Sequence, residues 1–450
     1  MNMSRIERLR RMKKFKKALC LTLATIMTLS VVAGCTSKAP TTSAVTSGSG
    51  TQSVAAQKVT FWYYHKGDEG AVLEKTIKAF NESQSKYVVE GFSVPDKQKY
   101  LVAMSSNESP DLIELSNQDI VSYNANGMLE DLSAMGSKTK FDFSIFTNSA
   151  KTANTVNGAY YALPYATDII QMFYNKDILT KIGATEPPKT MEEMYDMAVK
   201  ATTLDKTGNI DTLGYPLFPL ASARQEGIYG FGGTWVDSAT GLKPTATSQG
   251  VLDSLNLNVK YRNLYGIDKV QKFVATANTN RYTPKDIFFA GKQLFRFDGP
   301  WLAKMIKDNN PSVHYGVTLI PGTKANPELR GESRYETTSV AIPVGSVQKD
   351  GAMALAQYIV TDGAKGLLMG LGSLPANKNL YDDKELLASN DCFPQFIEAL
   401  KADKGVQYPK MEESAKYTSL INASLDFVYN GSKTPKAAMD ELQKQASTLK

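Results

Sequence analysis

The side chains that most often carry chemistry are scarce in this chain, and their spacing narrows what it can do. There are two histidines, His65 and His314, and three cysteines, Cys20, Cys35 and Cys392. The histidines lie far apart, so there is no HExxH helix, no histidine cluster and no CxxC pair to hold zinc. A G-x-S-x-G elbow and a G-x-x-x-x-G-K-[ST] loop are also missing, which argues against an α/β-hydrolase and against an ATPase. Acids remain abundant, and a carboxylate pair at suitable separation is enough for a glycosidase. Most of the 45 Asp and Glu residues will be solvated surface. No metal and no cofactor is expected.

The densest group of polar and aromatic side chains is Tyr64-His65-Lys66-Gly67-Asp68. In it Asp68 and Lys66 could hold a ligand, or serve as a helix N-terminal acid and a solvated base. A lone histidine at a strand end is more often a hydrogen-bonding side chain than a catalyst, and no mechanism is built on His65. Three tryptophans offer flat apolar plates. Trp62 lies inside the first strand, where core packing is at least as natural as ligand contact. Trp235 follows Gly232-Gly233 in a loop, and Trp301 follows the turn Gly299-Pro300. Cys392 reads as a small buried residue.

The elements that must position these groups alternate in type. Val59 to Tyr64 is a β-branched and aromatic run, followed by a helical period with Val72, Leu73, Ile77 and Phe80 on one face. Tyr87 to Val94 reads as the next strand, 97–106 as a helix and Asp111 to Leu115 as a short strand. Strand and helix in alternation predict a parallel α/β layer. Thr190-Met191-Glu192-Glu193 is a capping box. Gly351 to Val360, Lys384 to Ala388 and Pro435 to Gln445 read as helices.

The first 35 residues carry a different message. Basic residues between Arg5 and Lys17 precede an apolar run from Ala18 to Val32, and small residues lead into Cys35. That order is an export signal, and the run is shorter than the ~20 apolar residues of a spanning helix. Val32-Ala33-Gly34-Cys35 resembles the lipobox of bacterial lipoproteins, in which the cysteine becomes the first mature residue and carries diacylglycerol. Residues 1–34 hold eight Lys/Arg and one Glu, so the whole-chain charge of +6 falls to −1 for the rest. A nucleic-acid partner, which needs a basic stripe on the folded part, is not expected. With Cys20 in the signal and Cys35 lipidated, Cys392 is left without a disulfide partner. Residues 36–57, rich in Ser and Thr with no hydrophobic period, read as a flexible leash. The body is expected to begin at Lys58.

Four segments in order resemble the extracellular solute-binding proteins of ABC importers, in the carbohydrate-binding branch that includes maltodextrin-binding protein. They are Pro110-Asp111-Leu112-Ile113 through Gly127-Met128-Leu129-Glu130-Asp131-Leu132; Tyr161-Ala162-Leu163-Pro164 with Phe173-Tyr174-Asn175-Lys176-Asp177 and Pro188-Lys189-Thr190; Phe289-Ala290-Gly291-Lys292 through Asp298-Gly299-Pro300-Trp301; and Ser373-Leu374-Pro375-Ala376. Met191 stands where the family usually has a tryptophan.

The resemblance implies a two-lobed periplasmic-binding-protein-like α/β fold of type II. Each lobe would be a mainly parallel sheet flanked by helices, and the chain would cross three times, near Thr167, Arg296 and Tyr335. Residues 58–167 with 297–335 would form the N-lobe, and 168–296 with 336–450 the C-lobe. Ligand would lie between them. A sugar presents C–H faces and a ring of hydroxyls, so its site needs aromatic plates with carboxylate, amide and cationic groups. The resemblance puts a stacking ring at Trp301 and a contacting acid at Asp168. It places polar contacts at Tyr64, His65, Lys66, Asp68, Gln118 and Asp119; apart from the resemblance, Trp235 could be a second plate or a core residue, and Trp62 could face ligand or core. Leu115 replaces the family's stacking Trp in its segment, which argues against maltodextrin itself.

The function implied is a monomeric, non-enzymatic carbohydrate-binding component that delivers its ligand to ABC permease subunits. It would be tethered by Cys35 to the outer face of the membrane in a single-membrane bacterium. An anchored glycoside hydrolase and a sensory module for a non-sugar solute are the alternatives, since fold does not fix function.

Overall fold

The computed structural model describes residues 55–449 apart from 107, 218–219, 221–223, 239 and 407–408. The export signal, Cys35 and the leash as far as residue 54 lie outside the described residues. The body opens with β1 (Gln57–Tyr63), one residue earlier than expected. Its alternate residues Val59, Phe61 and Tyr63 are buried, as the two-residue period of a strand requires. The helix Gly67–Ser83 follows and buries Leu73, Ile77 and Phe80. Next come β2 (Tyr87–Ser93), the helix Lys97–Met104 and β3 (Leu112–Ser116). Both β2 and β3 pair parallel with β1, which is the α/β layer that the alternation predicts.

Beyond β3 the strand directions change. The later strands are β4 (Leu163–Ile169), β5 (Gln171–Asn175), β6 (Phe295–Asp298), β7 (Tyr315–Thr318), β8 (Ser333–Ala341) and β9 (Leu374–Pro375). The larger sheet has the order β9-β4-β8-β3-β1-β2, and β8 runs antiparallel to both of its neighbours. Gly405–Val406 adds a short parallel pairing to the start of β8. The second sheet, β6-β5-β7, is antiparallel throughout. Among the described residues, parallel ladders are found at β1, β2 and β3 and at that short pairing with β8, beside isolated parallel bridges at Thr190–Gly322 and Leu213–Gln293, rather than dominating both lobes. A parallel pair needs a crossover that returns the chain to the same end. Here β8 instead comes back from the second sheet, entering the first one against the run of β3 and β4.

Strand pairing also relocates two crossings. The first lies between Ile169 and Gln171, close to Thr167 as expected. Arg296, however, sits inside β6, and β6 and β7 flank β5 on its two edges. Residues 297–318 thus belong with 171–295, because removing them would strip the backbone partners from β5. The return comes between Thr318 and Ser333, and β8 inserts between β3 and β4. The segment after Glu336, expected in the C-lobe, packs on the large sheet instead. Its helix Lys349–Val360 buries Leu355, Ala356 and Ile359 in the core that holds Val59 and Phe61. The chain leaves again after Gly405–Val406, and the helices Ser414–Tyr429 and Pro435–Ala446 close a separate core.

The capping box forms as expected at the start of the helix Met191–Ala201: Glu193 donates its N–H to Thr190 Oγ1 at 3.2 Å, and Thr190 donates its N–H to Glu193 Oε2 at 3.3 Å. Among the described residues no helix is long and apolar enough to cross a membrane.

Candidate functional site

β8 is the spine of the site. Its burial alternates, with Ser333, Tyr335, Thr337 and Ser339 buried and Arg334, Glu336 and Thr338 half-buried on the opposite face. Arg334 reaches Glu226, Glu336 reaches Gln118 on the helix after β3, and Thr338 reaches Tyr64 in the loop after β1. From Thr338 to Arg334 the strand spans roughly 13 Å, at about 3.3 Å per residue.

Thr338 meets the loop after β1, where the Tyr64 hydroxyl donates to its Oγ1 at 3.2 Å. The Tyr64 and His65 rings stack at 4.7 Å. Both are fixed from below by Glu114 of β3, which is 1% exposed. Glu114 accepts the Tyr64 N–H at 2.8 Å, lies 3.0 Å from His65 Nδ1 through each oxygen, and accepts the Tyr165 hydroxyl. Burial alone would lower the His65 imidazole, but Glu114 beside it outweighs that and raises it. His65 is thus the partner of a buried carboxylate. Lys66 precedes the helix Gly67–Ser83 without capping it through its side chain, and Asp68 lies in the first turn, both exposed. A first-turn acid is favoured there by the helix dipole.

Glu336 is the middle position. Gln118 donates Nε2 to Glu336 Oε1 at 2.9 Å, and Arg334 donates to the same oxygen at 2.7 Å. Asp119 pairs with Lys97 at 2.6 Å, and Lys97 in turn stands 5.9 Å from the Tyr64 ring. Asp168 is the register partner of Glu336 across the β4–β8 ladder. Burial and the Glu336 charge push its carboxyl up to about 6, against the opposing pull of Arg334 and His65.

Arg334 forms the third position. It donates Nε to Glu226 at 3.1 Å, and Glu226 is raised by burial although Arg334 opposes that. Here a cavity of about 210 Å³ opens at the junction of the sheets, lined by Ile170, Glu226, Arg334, Trp301, Arg281 and Asn422 among others. Trp301 begins the helix Trp301–Asn309 and is half-buried on the cavity wall. Its ring lies against Gly299, where a Cβ would stand 2.1 Å from Trp301 Cη2, so only glycine fits.

Tyr64, His65, Gln118, Asp119, Asp168 and Trp301 are therefore joined through β8 or its cavity. Two of the expected plates are not. Trp235 is 4% exposed and packs with Val251, Leu255 and Tyr417, whose hydroxyl donates to the Trp235 carbonyl at 2.7 Å. It is a core residue, which removes it from the ligand set. Trp62 packs edge-on against Tyr100 at 5.8 Å in a hydrophobic cluster of the first lobe. Arg334, Glu336, Glu226 and Arg281 were not anticipated. Cys392 is 1% exposed, as expected of a packed thiol. Among the described residues no group of three or more His, Cys, Asp or Glu is placed to hold a metal.

Residues 75–394 match the family described as bacterial extracellular solute-binding protein. The chain belongs to that family. Among relatives of this solute-binding protein, the maltotriose-binding protein of Pyrococcus abyssi is 24% identical over 339 residues, covering 73% of this chain and 68% of that one. The galactooligosaccharide-binding protein of Bacillus subtilis is 23% identical over 343 residues, covering 75% and 76%. The sugar-binding protein MalE from Xanthomonas citri superposes with a TM-score of 0.73 at 20% identity, covering 87% of this chain and 96% of that structure. The solute-binding protein thus has the two-lobed fold of that structure.

Proposed function

We propose that this solute-binding protein captures an oligosaccharide along β8, between its lobes, and delivers it to the permease of an ABC importer. The observation that carries this reading is Trp301, an indole on the wall of a cavity that also holds carboxylate, guanidinium and amide groups. Such a set suits the C–H face and hydroxyls of a sugar. The polar row on β8 from Arg334, which shares the cavity with Trp301, to Thr338 spans roughly 13 Å, longer than one pyranose ring, and favours an oligomer. The names of the relatives, which bind maltotriose and galactooligosaccharides, point the same way. Asp168, Tyr64, His65, Gln118 and Asp119 are the further contacts, and Lys66 and Asp68 reach the ligand from the loop rim. Capture involves no covalent step. Lipid on Cys35 holds the protein, as a monomer, on the outer face of a single-membrane cell.

The test is a thermal-shift screen against oligosaccharides of different linkage, with polyamines, peptides and metal chelates as controls. A ligand bound only by the folded state adds about 2.7 kcal/mol at a hundredfold excess over Kd. One glycan class should raise the midpoint and be recovered intact. Shifts only among the controls would refute the sugar reading, and released product would make the protein a hydrolase. Cys35→Ser should free the protein into the medium; retention on the cell would refute the anchor.

A further inference from the structure

We infer that Tyr282 is a positioning residue for the Trp301 plate, an inference that rests on reading Trp301 as the sugar-stacking ring. The Trp301 Nε1–H donates to the Tyr282 hydroxyl at 2.9 Å. That hydroxyl donates in turn to Asp298 Oδ1 at 2.7 Å and accepts an Arg281 N–H. All three bonding positions of the phenol are in use. Asp298 is 1% exposed; its Oδ1 also accepts the Gly299 N–H at 2.9 Å, and its Oδ2 accepts Arg296 Nε at 2.8 Å. Arg296 continues to Asp286 at 2.8 and 2.9 Å, and Asp286 accepts the Tyr282 backbone N–H at 2.8 Å. The circuit closes on the residue where it began.

Two further observations show that Tyr282 is held and not merely present. Its backbone has φ 60°, a left-handed conformation that a bulky residue adopts only when its surroundings impose it. The Asp286 bond to its N–H is what imposes it here. Its ring is covered by the Arg281 and Arg296 guanidinium groups, at 4.2 and 5.1 Å from the centroid. Burial and Asp298 push the phenol up to about 12, against the pull of Arg281, so it stays protonated and able to donate. The indole is then fixed at its N–H end by Tyr282, against Gly299 and against the hydrophobic cluster around Phe295 and Phe297, and it lines the cavity with the surface left over. A plate held this way loses little side-chain entropy on binding.

The experiment uses ¹⁵N-labelled protein, whose three tryptophans give three indole N–H signals, with Trp301→Phe assigning the one of interest. In the wild type the Trp301 indole N–H should exchange slowly with solvent. In Tyr282→Phe it should exchange faster, the Kd for maltotriose or a galactooligosaccharide should rise roughly three- to tenfold, and the thermal midpoint should hold within a few degrees. In a Trp301→Phe background Tyr282→Phe should add nothing to Kd. Unchanged exchange and Kd in Tyr282→Phe would overturn the inference, as would an effect that persists without the indole. If Tyr282→Phe does not fold, solvent-rate exchange of the wild-type Trp301 N–H overturns it alone. A Trp301→Ala variant with undiminished affinity would instead sink the sugar-plate reading, leaving the indole measurement to stand by itself.

Discussion

Replacing Asp168 with asparagine should make the ligand-free protein more stable at neutral pH, with the gain vanishing in acid. Asp168 faces Glu336 across the β4–β8 ladder, and burial with that neighbouring charge lifts its carboxyl from 3.8 to about 6. The folded state therefore holds this proton more tightly than the unfolded chain does. As pH rises from about 4 the unfolded chain releases its proton first, and stability falls until both states are ionised. A shift of about two units at 1.36 kcal/mol each is roughly 3 kcal/mol, and solvent at the cleft mouth lowers this toward roughly 2 kcal/mol. Unfolding entropy of about 2.1 cal/mol/K per residue, over a body of about 390 residues, converts that into about 2 °C. Asparagine keeps the shape and removes the charge. Scanning calorimetry of wild type and Asp168→Asn at pH 4, 5, 6 and 7 should give coincident midpoints at pH 4 and a gap of about 2 °C at pH 7. Equal midpoints throughout would refute the raised carboxyl. A variant less stable at pH 7 would mean that Arg334 and His65 more than compensate the charge. The same variant should bind sugar more weakly, because the amide is a poorer acceptor for hydroxyl protons than the carboxylate.

Trp301→Ala should weaken oligosaccharide binding by about 2 kcal/mol or more, near thirtyfold, by calorimetric titration, while its far-UV spectrum stays native. Glu114→Gln should lower stability by roughly 1.5–3 kcal/mol in urea, since three donors lose a charged acceptor. It should also lower the titration midpoint of His65, which NMR can follow because the chain has only two histidines. Cys392, whose thiol burial pushes up to about 12, should resist alkylation at pH 8 in the native state and react once denaturant is added, read by mass spectrometry of its peptide; rapid native labelling would contradict its packing.

The elements legible in the sequence are those whose signal is local. The first strand, the helix after it and the capping box at Thr190 each follow from residues a few positions apart, and each forms where expected. The lobe boundaries do not. Nothing near Arg296 says that Phe295–Asp298 will pair with Gln171–Asn175, more than a hundred residues earlier, because a ladder partner is chosen by the whole fold. The burial of Trp235 is hidden from the sequence for a related reason. Gly232-Gly233 reads as a loop signal, yet a Cβ on Gly233 would stand 2.7 Å from the Val251 nitrogen. The glycine is there to let two backbones approach, and that approach buries the tryptophan beside it.

β8 explains why the most connected part of the site went unseen. Its inward residues are Ser333, Tyr335, Thr337 and Ser339, so the segment has no aliphatic alternation and reads as a polar loop. Three of those hydroxyls are partnered where they are buried: Ser333 accepts the Ile170 N–H at 2.8 Å, and Thr337 and Ser339 bond to Asn154, which is fully buried. A polar inner face is consistent with the strand's position, since β8 runs through the junction of two lobes and must satisfy loop and ladder backbone from both. An aliphatic inner face would give β8 a readable pattern, but it would leave the Ile170 N–H at the first crossing without its acceptor. β8 is thus the element least visible to hydrophobic periodicity, and it is also the one whose outer face, Arg334, Glu336 and Thr338, meets Glu226, Gln118 and Tyr64 from separate parts of the chain.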